Sequence, residues 1–376
     1  MERILYLHIG GPKTGTKTLQ NFFYKNRQAL RDRGYFYPGR GLNHLDICDE
    51  LGEHNVSRIR SLPGLSVMRW IEEVEISSCP SCIISAECLA FRGGAKKLRE
   101  LLSSSCRVKV IYYARRQDEL IESRYNQFVK APVYRMKENL DEDLVDSFYE
   151  RVDFDHLQVI TPWAEIFGKD NVIVRCFEEI QMPNGIIEDF TRIIGLSLDD
   201  TLKIPATRMN KSLDIHHTEF IRLCNRAFKD MPEINDYLDM KHFKENRALN
   251  HVPVQHRLSP TTRIEILNHY EESNRQFARE YLGREDGRLF YAPWPDPQEP
   301  WEPYRGLTAE ELVPIFTEMI YTAEMRQVRV IQKKDLQPLT SCLEILNYFL
   351  KKVMLLIPGR IKQYFQEKND RWYNRK

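Results

Sequence analysis

Leu7-His8-Ile9-Gly10-Gly11-Pro12-Lys13-Thr14-Gly15-Thr16-Lys17-Thr18-Leu19-Gln20 is the stretch that decides the fold. Before it, Ile4 to Ile9 is an apolar run of strand length. After Thr16 the period changes: Leu19, Phe22, Phe23 and Leu30 fall on one helical side, and Gly34 ends the helix. Glycines at 10, 11 and 15 let the chain turn tightly and expose successive backbone N–H groups. The helix start adds unpaired donors and the positive end of its dipole. Lys13, Thr14, Thr16, Lys17 and Thr18 place two cations and three hydroxyls around the same turn. A phosphate of several charges is the ligand that uses all of these donors together.

The nucleoside triphosphate loop wants Gly, four residues, then Gly-Lys-Ser or Gly-Lys-Thr. From Gly11 only three residues intervene before Gly15, and from Gly10 the count ends on Gly15-Thr16. The orthodox lysine is displaced by one place.

Outward from the loop, apolar runs and helical periods alternate. Strands are expected over Cys82 to Ser85, Val108 to Tyr113 and Asn171 to Phe177. Helices are expected over Lys96 to Leu102, Gln117 to Val129 and Gly185 to Ile194, the last closed by Gly195. This alternation predicts a three-layer α/β domain with a mainly parallel sheet, ligands docking beyond the carboxyl ends of its strands. Beyond residue 210 helices dominate, over Asp214 to Phe228 and Pro260 to Tyr281. Pro293 to Tyr304 holds five prolines and two tryptophans and reads as irregular. The expected division is residues 1–290 as the α/β domain, and 291–376 as an irregular linker and helical tail. Within the tail, Ile345 to Ile357 carries Lys351 and Lys352. It suits a membrane surface, the body of the protein or another subunit.

Fifty-five basic against 54 acidic residues leave a net charge of +1, which offers no field for duplex nucleic acid. The amino terminus does not read as a signal peptide, and no run is long enough to span a membrane, so cytoplasmic residence is the default expectation. Cys79-Pro80-Ser81-Cys82 has redox spacing but precedes a strand rather than opening a helix, so buried thiols are expected. No second ligand pair follows for zinc.

A second signal lies nearly a hundred residues on. Arg115 closes the Val108 to Tyr113 strand, and Ser123 follows eight residues later, inside the next helix. An arginine fork and a hydroxyl suit one anion, provided the chain brings them to it. Arg116 could exchange roles with Arg115, which spacing favours. Tyr112, Tyr113 and Tyr125 read as core or pocket wall, and His8 as structural.

Together the loop and the Arg115/Ser123 pair resemble the sulfotransferases that use 3′-phosphoadenosine-5′-phosphosulfate (PAPS), above all bacterial members with a His-Ile-Gly, Lys-Thr-Gly-Thr, Leu-Gln opening. The resemblance spans roughly residues 1–290 and implies a P-loop-like α/β fold. It implies PAPS as donor, the adenosine bisphosphate PAP as product, and no required metal. By that likeness Lys13 is the catalytic lysine, and Gly11, Pro12, Thr14, Gly15, Thr16, Lys17 and Thr18 surround the 5′-phosphosulfate. Arg115 and Ser123 take the 3′-phosphate, and Asn210 and Ser212 approach the nucleotide. Lys17 stands where the family usually has threonine. Glu272-Ser273-Asn274-Arg275 resembles a recurrent late-helix stretch of the bacterial group.

Transfer to an alcohol also needs a base. Glu87, at the expected carboxyl end of a strand, is the first candidate, and His44, after Tyr37-Pro38-Gly39, the second. Family likeness implies a saccharide, polysaccharide or glycolipid acceptor. Trp70, Tyr125, Tyr134 and Trp163 are aromatics that either stack on sugar or fill the core. Two other functions remain open: a nucleotide-dependent kinase or NTPase with an irregular loop, and a nucleotide-binding scaffold without turnover.

Overall fold

A computed structural model describes residues 3–39, 41, 44, 67–87, 89–92, 94–102, 106–131, 134–205, 215–227, 256–308 and 310–312. Strand β1 (Arg3–Gly10) leads into α1 (Thr16–Lys25) and α2 (Arg27–Asp32), then β2 (Tyr35–Phe36). Next come α3 (Val67–Ile76), β3 (Ser81–Ser85), α4 (Leu89–Arg92), α5 (Ala95–Leu101) and β4 (Cys106–Ala114). They are followed by α6 (Gln117–Lys130), α7 (Glu142–Tyr149), α8 (His156–Phe167), β5 (Val172–Cys176) and α9 (Gly185–Ile194). The last described helices are α10 (Ile215–Ala227), α11 (Pro260–His269) and α12 (Glu271–Leu282).

The strands pair in the order β2-β3-β1-β4-β5, every pairing parallel. Because side chains alternate across a strand, each strand feeds two cores. Leu5, Leu7, Ile9, Ile84, Val110, Tyr112 and Val174 pack on one face with Trp70, Ile160, Trp163 and Phe277 from α3, α8 and α12. Ile83, Ile111 and Tyr113 pack on the other with Leu19, Phe22, Phe23 and Phe190 from α1 and α9. Helices thus cover both faces, and the expected three-layer α/β architecture is the one observed. β1 is flanked by β3 and β4, so successive crossovers leave it in opposite directions. Its carboxyl end is the switch point where open parallel sheets form a crevice.

The expected helix over Leu19 to Leu30 is two, broken at Asn26, whose amide nitrogen donates to the Phe22 carbonyl at 2.8 Å. The expected helix over Pro260 to Tyr281 is likewise two, divided at Tyr270. Residues 291–308 carry no helix or strand, as their prolines require. Cys79 and Cys82 are buried free thiols, and burial pushes Cys82 up to about 12, so Cys82 is no ready thiolate. No helix of the described residues is long and apolar enough to cross a membrane.

The chain separates into two compact units. One comprises Met1–Arg124, Leu140–Lys211 and Leu258–Glu302; the other comprises Tyr125–Asn139, Ser212–Arg257 and Pro303–Lys376. The boundary expected at residue 290 falls inside the last segment of the first. In the second unit, α10 carries a buried Glu219–Arg222 pair at 2.6 Å, and Asn225 donates to the Val129 carbonyl at 2.8 Å. The residues 345–357 singled out for a membrane or subunit surface lie outside the described residues.

Three histidines of the first unit are buried and neutral. Burial holds His8 down at about 3, and His44 and His156 at about 4. Each binds a proton in the unfolded chain below its ordinary value of about 6.5 but not in the fold, so folding stability falls as pH drops from there toward 4. The slope is up to about 1.4 kcal/mol per pH unit for each. Calorimetric scans at constant ionic strength should therefore show Tm falling steadily from pH 7 to pH 5.

Candidate functional site

The turn after β1 is pressed against its neighbours. Gly11 N–H donates to the Tyr113 carbonyl at 3.3 Å, and a Cβ added to Gly11 would stand 2.4 Å from that oxygen. A Cβ on Gly10 would meet the Glu87 carbonyl at 3.0 Å. The ends of β1, β3 and β4 therefore converge only because both positions lack a side chain. Thr14 Oγ1 donates to the Gly11 carbonyl at 2.6 Å and closes the turn. Lys13 has φ 64° and Gly15 φ 82°, left-handed values of the kind found in anion-binding turns. A lysine held there costs about 1–3 kcal/mol, a strain of the kind found where a ligand is clasped.

Among the described residues, none of the N–H groups of residues 13 to 17 has a hydrogen-bond partner. The Thr16 hydroxyl, at the first position of α1, is buried and also without a partner. Helix α1 has no acidic residue in its first turn to offset its positive end. A buried, unmet hydroxyl beside unmet amides is a costly arrangement unless an acceptor arrives.

Lys13 and Lys17 form no ion pair with any described residue. The Lys13 ammonium is pushed down to about 8, first by burial and then by Arg115, with Lys17 and Arg124 acting in the same sense and Glu87 opposing. Arg115 donates through one terminal nitrogen to the Lys13 carbonyl at 3.0 Å, and through Nε and the other to Glu119 at 3.3 and 3.2 Å. Arg116 is spent elsewhere: buried, it grips Asp118 at 2.8 and 3.0 Å and the Pro293 carbonyl at 2.8 Å. The two arginines that spacing could not fully separate are thus divided, Arg115 on the loop and Arg116 in the core. Ser123 lies one turn beyond Glu119 on the same face of α6, buried, without a hydrogen bond to a described residue and unconnected to Arg115.

Glu87, half-buried just past β3, has no hydrogen bond or ion pair to a described residue, and its charge acts on Lys13. His44 is different. It accepts the Ser85 N–H through Nδ1 at 2.8 Å, and Nε2 lies 3.1 Å from the Pro38 carbonyl, to which it must donate. Both ring nitrogens of His44, the second candidate base, are thus engaged by backbone groups in the core. His8 is structural, with Nδ1 2.9 Å from Ser85 Oγ.

Trp70, Tyr125 and Trp163 are buried and belong to the core, whereas Tyr134 is exposed. Asn274 exchanges hydrogen bonds with Gln117 at 2.8 and 3.0 Å, and Ser273 donates to Asp155 at 2.6 Å, which gives that late-helix stretch a structural duty. Asn210 and Ser212 lie outside the described residues. Arg124, which the sequence reading passed over, influences Lys13 from α6 while bonded to Asp153 at 2.9 Å. Its place directly after Ser123 was the available signal. Among the described residues no group of His, Cys, Asp and Glu is gathered as a metal cluster.

No family model matches the chain. It is 29% identical over 182 residues to an uncharacterized protein of Archaeoglobus fulgidus, a match covering 46% of each, so the chain spans about half the length of that curated relative. Among solved structures, a sulfotransferase from Alicyclobacillus acidocaldarius superposes with a TM-score of 0.35 at 16% identity, covering 65% of this chain and 100% of that one. Mouse sulfotransferase SULT7A1, complexed with PAP, superposes at 0.31 with 15% identity, over 54% of this chain and 61% of that one. Both superpositions are loose.

Thr16→Val separates ligand binding from folding. Removing a buried, unmet hydroxyl at constant shape should leave the unliganded Tm unchanged or raise it, by up to about 1 kcal/mol in stability. The same change should weaken binding of inorganic pyrophosphate, used as the probe of an anion at this turn, about tenfold, as read by calorimetric titration.

Proposed function

We propose that the chain is a PAPS-dependent sulfotransferase acting on a hydroxyl, with the turn at residues 10 to 18 as its 5′-phosphosulfate site. One observation carries this reading: the amides of residues 13 to 17, unpaired among the described residues, share one turn with the buried, unmet Thr16 hydroxyl, and Arg115 is bonded to the Lys13 carbonyl of that turn. The motif likeness in the sequence and the parallel sheet with its switch point at β1 support it. The residues fit such a donor: Gly11, Lys13, Thr14, Gly15, Thr16, Lys17 and Thr18 would hold the 5′ end, Arg115 and Ser123 the 3′-phosphate. Asn210 and Ser212 belong to the same proposal by likeness alone. PAPS when bound supplies an activated sulfuryl group.

The chain's own residues do the rest. Amides and the Thr16 hydroxyl neutralise phosphate oxygens without a proton transfer, and Lys13 adds a cation where charge accumulates on departure. Burial of Lys13 serves this role, because an ammonium stripped of water interacts more strongly with an anion. Glu87, free of ion pairs to described residues, accepts the proton of the attacking hydroxyl at its carboxylate. The acceptor is proposed to be a saccharide, polysaccharide or glycolipid.

Calorimetric titration with adenosine 3′,5′-bisphosphate and with ATP tests the reading. The bisphosphate should bind more tightly, and Arg115→Ala should remove most of that preference. Lys13→Ala should lower transfer from labelled PAPS to a cellular glycan extract by about 10²- to 10³-fold. Equal binding of ATP, strengthened by magnesium, would favour a kinase; binding without turnover would favour a scaffold. The Lys13 value of about 8 gives a pH signature. An anion raises that value, so binding at pH 8.5 should take up a proton, and the measured heat should vary with the buffer's ionisation enthalpy.

A further inference from the structure

The end of β3 is bonded more densely than a strand end requires. Ser85 N–H donates to His44 Nδ1 at 2.8 Å, and His44 N–H donates back to the Ser85 carbonyl at 3.3 Å. Gln20 Nε2 reaches that carbonyl and Ser85 Oγ, both at 3.3 Å, and His8 Nδ1 stands 2.9 Å from the same Oγ. One residue on, Ala86 N–H donates to the His8 carbonyl at 2.9 Å. Ser85, His8, His44 and Gln20 are all buried. Every polar group of Ser85 is therefore taken, and Glu87 follows two residues later with its side chain unbonded to any described residue.

His44 is in turn held from outside. Its ring meets Trp70 edge-on at 4.3 Å and Tyr37 at 4.6 Å. Gly39, with φ 76°, donates its N–H to Glu73 at 2.9 Å, and Arg27 binds the carbonyls of Pro38, Gly39 and Gly41. Pro38, Gly39 and Gly41, which precede His44, are thus held by Arg27 and Glu73. Only the neutral ring protonated at Nε2 satisfies both of its partners, because a backbone N–H cannot donate to a nitrogen that already bears hydrogen.

We infer that His44 is a positioning residue: through Ser85 it fixes the turn that presents the Glu87 carboxylate beside Lys13, and it takes no proton from substrate. This rests on the proposed role of Glu87. A carboxylate accepting a proton in flight must be held in hydrogen-bond reach of the hydroxyl, and a displacement near 1 Å costs roughly 100-fold in rate. The Ser85 clamp supplies that constraint with groups that never touch the substrate.

The test uses the full chain with His44→Ala, His44→Asn, Glu87→Gln and the double variant His44→Ala/Glu87→Gln. An asparagine carbonyl reaches the place of Nδ1 and can accept the Ser85 N–H. Amide hydrogen exchange, which needs no ligand, should rise at least about tenfold at Ser85 in His44→Ala while β4 is unchanged. With labelled PAPS, His44→Ala should lower kcat about tenfold or more and leave KM for PAPS within about twofold. His44→Asn should recover most of both effects, and the double variant should be no slower than Glu87→Gln. Unchanged exchange at Ser85, or a double variant slower than Glu87→Gln by the whole His44→Ala factor, overturns the inference. If Glu87→Gln transfers as fast as the parent, the role of Glu87 falls, and the positioning role of His44 falls with it even where exchange upholds the Ser85 clamp. Should His44→Ala fail to fold, His44→Asn decides alone: loss of protection at Ser85 in that variant with kcat retained overturns it.

Discussion

The contact between the Gly11 backbone and the Tyr113 carbonyl sets the rest of the site. It ties the exit of the central strand to the end of its neighbour with one hydrogen bond, at a separation that leaves no room for a side chain. From that point the chain can rise only as a tight turn, and left-handed values at Lys13 and Gly15 follow. Among the described residues the N–H groups of residues 13 to 17 have no hydrogen-bond partner, so α1 starts with its first donors uncovered. On the far side of the turn, Gly10 lies against Glu87 in the same way. Two glycines thus decide how closely the turn sits on β4 and which carboxylate stands next to it.

Charge around the turn is arranged by subtraction. Asp118 takes two buried guanidinium groups, from Arg116 and from Arg263 at 2.7 Å. Its carboxyl, which burial alone would raise, is held below its ordinary range by that pair. Asp153 does the same for Arg124 at 2.9 Å. What reaches the turn among the described residues is Lys13, Lys17 and an Arg115 shared with Glu119, so its positive character comes from few groups. Burial first, and their mutual repulsion after it, lower the Lys13 value, and an anion relieves the repulsion.

Much of this was legible in the sequence because it depends on local rules. The glycine spacing, the strand before it and the period change after Thr16 are properties of adjacent residues, and β1, β4 and α9 lie within a residue or two of their expected bounds. Glu87 was singled out by its place after a strand, and it does stand just past β3. Other features depend on distant partners. Helix α8 carries Pro162 inside an apolar run, which hides its period, and β2 is two residues held by pairing with β3. Arg115 and Arg116 are identical in sequence terms and are separated only by Asp118, Arg263 and Pro293. His44 looked like a base because histidine is the usual one. Its commitment to Ser85 and Pro38 depends on a fold that no spacing rule encodes.

The mutual amide bonds of Gln117 and Asn274 join positions 157 residues apart, and the unit that begins at the first strand takes its final segment from residues 258 to 302. During synthesis the amino-terminal turn leaves the ribosome early, yet one wall of its sheet, supplied by Phe277 and Leu289, arrives last. A nascent chain halted before that wall would leave the part of the apolar face of β4 and β5 beyond α8 open to solvent, so this is a protein for which holding chaperones have a long interval in which to act.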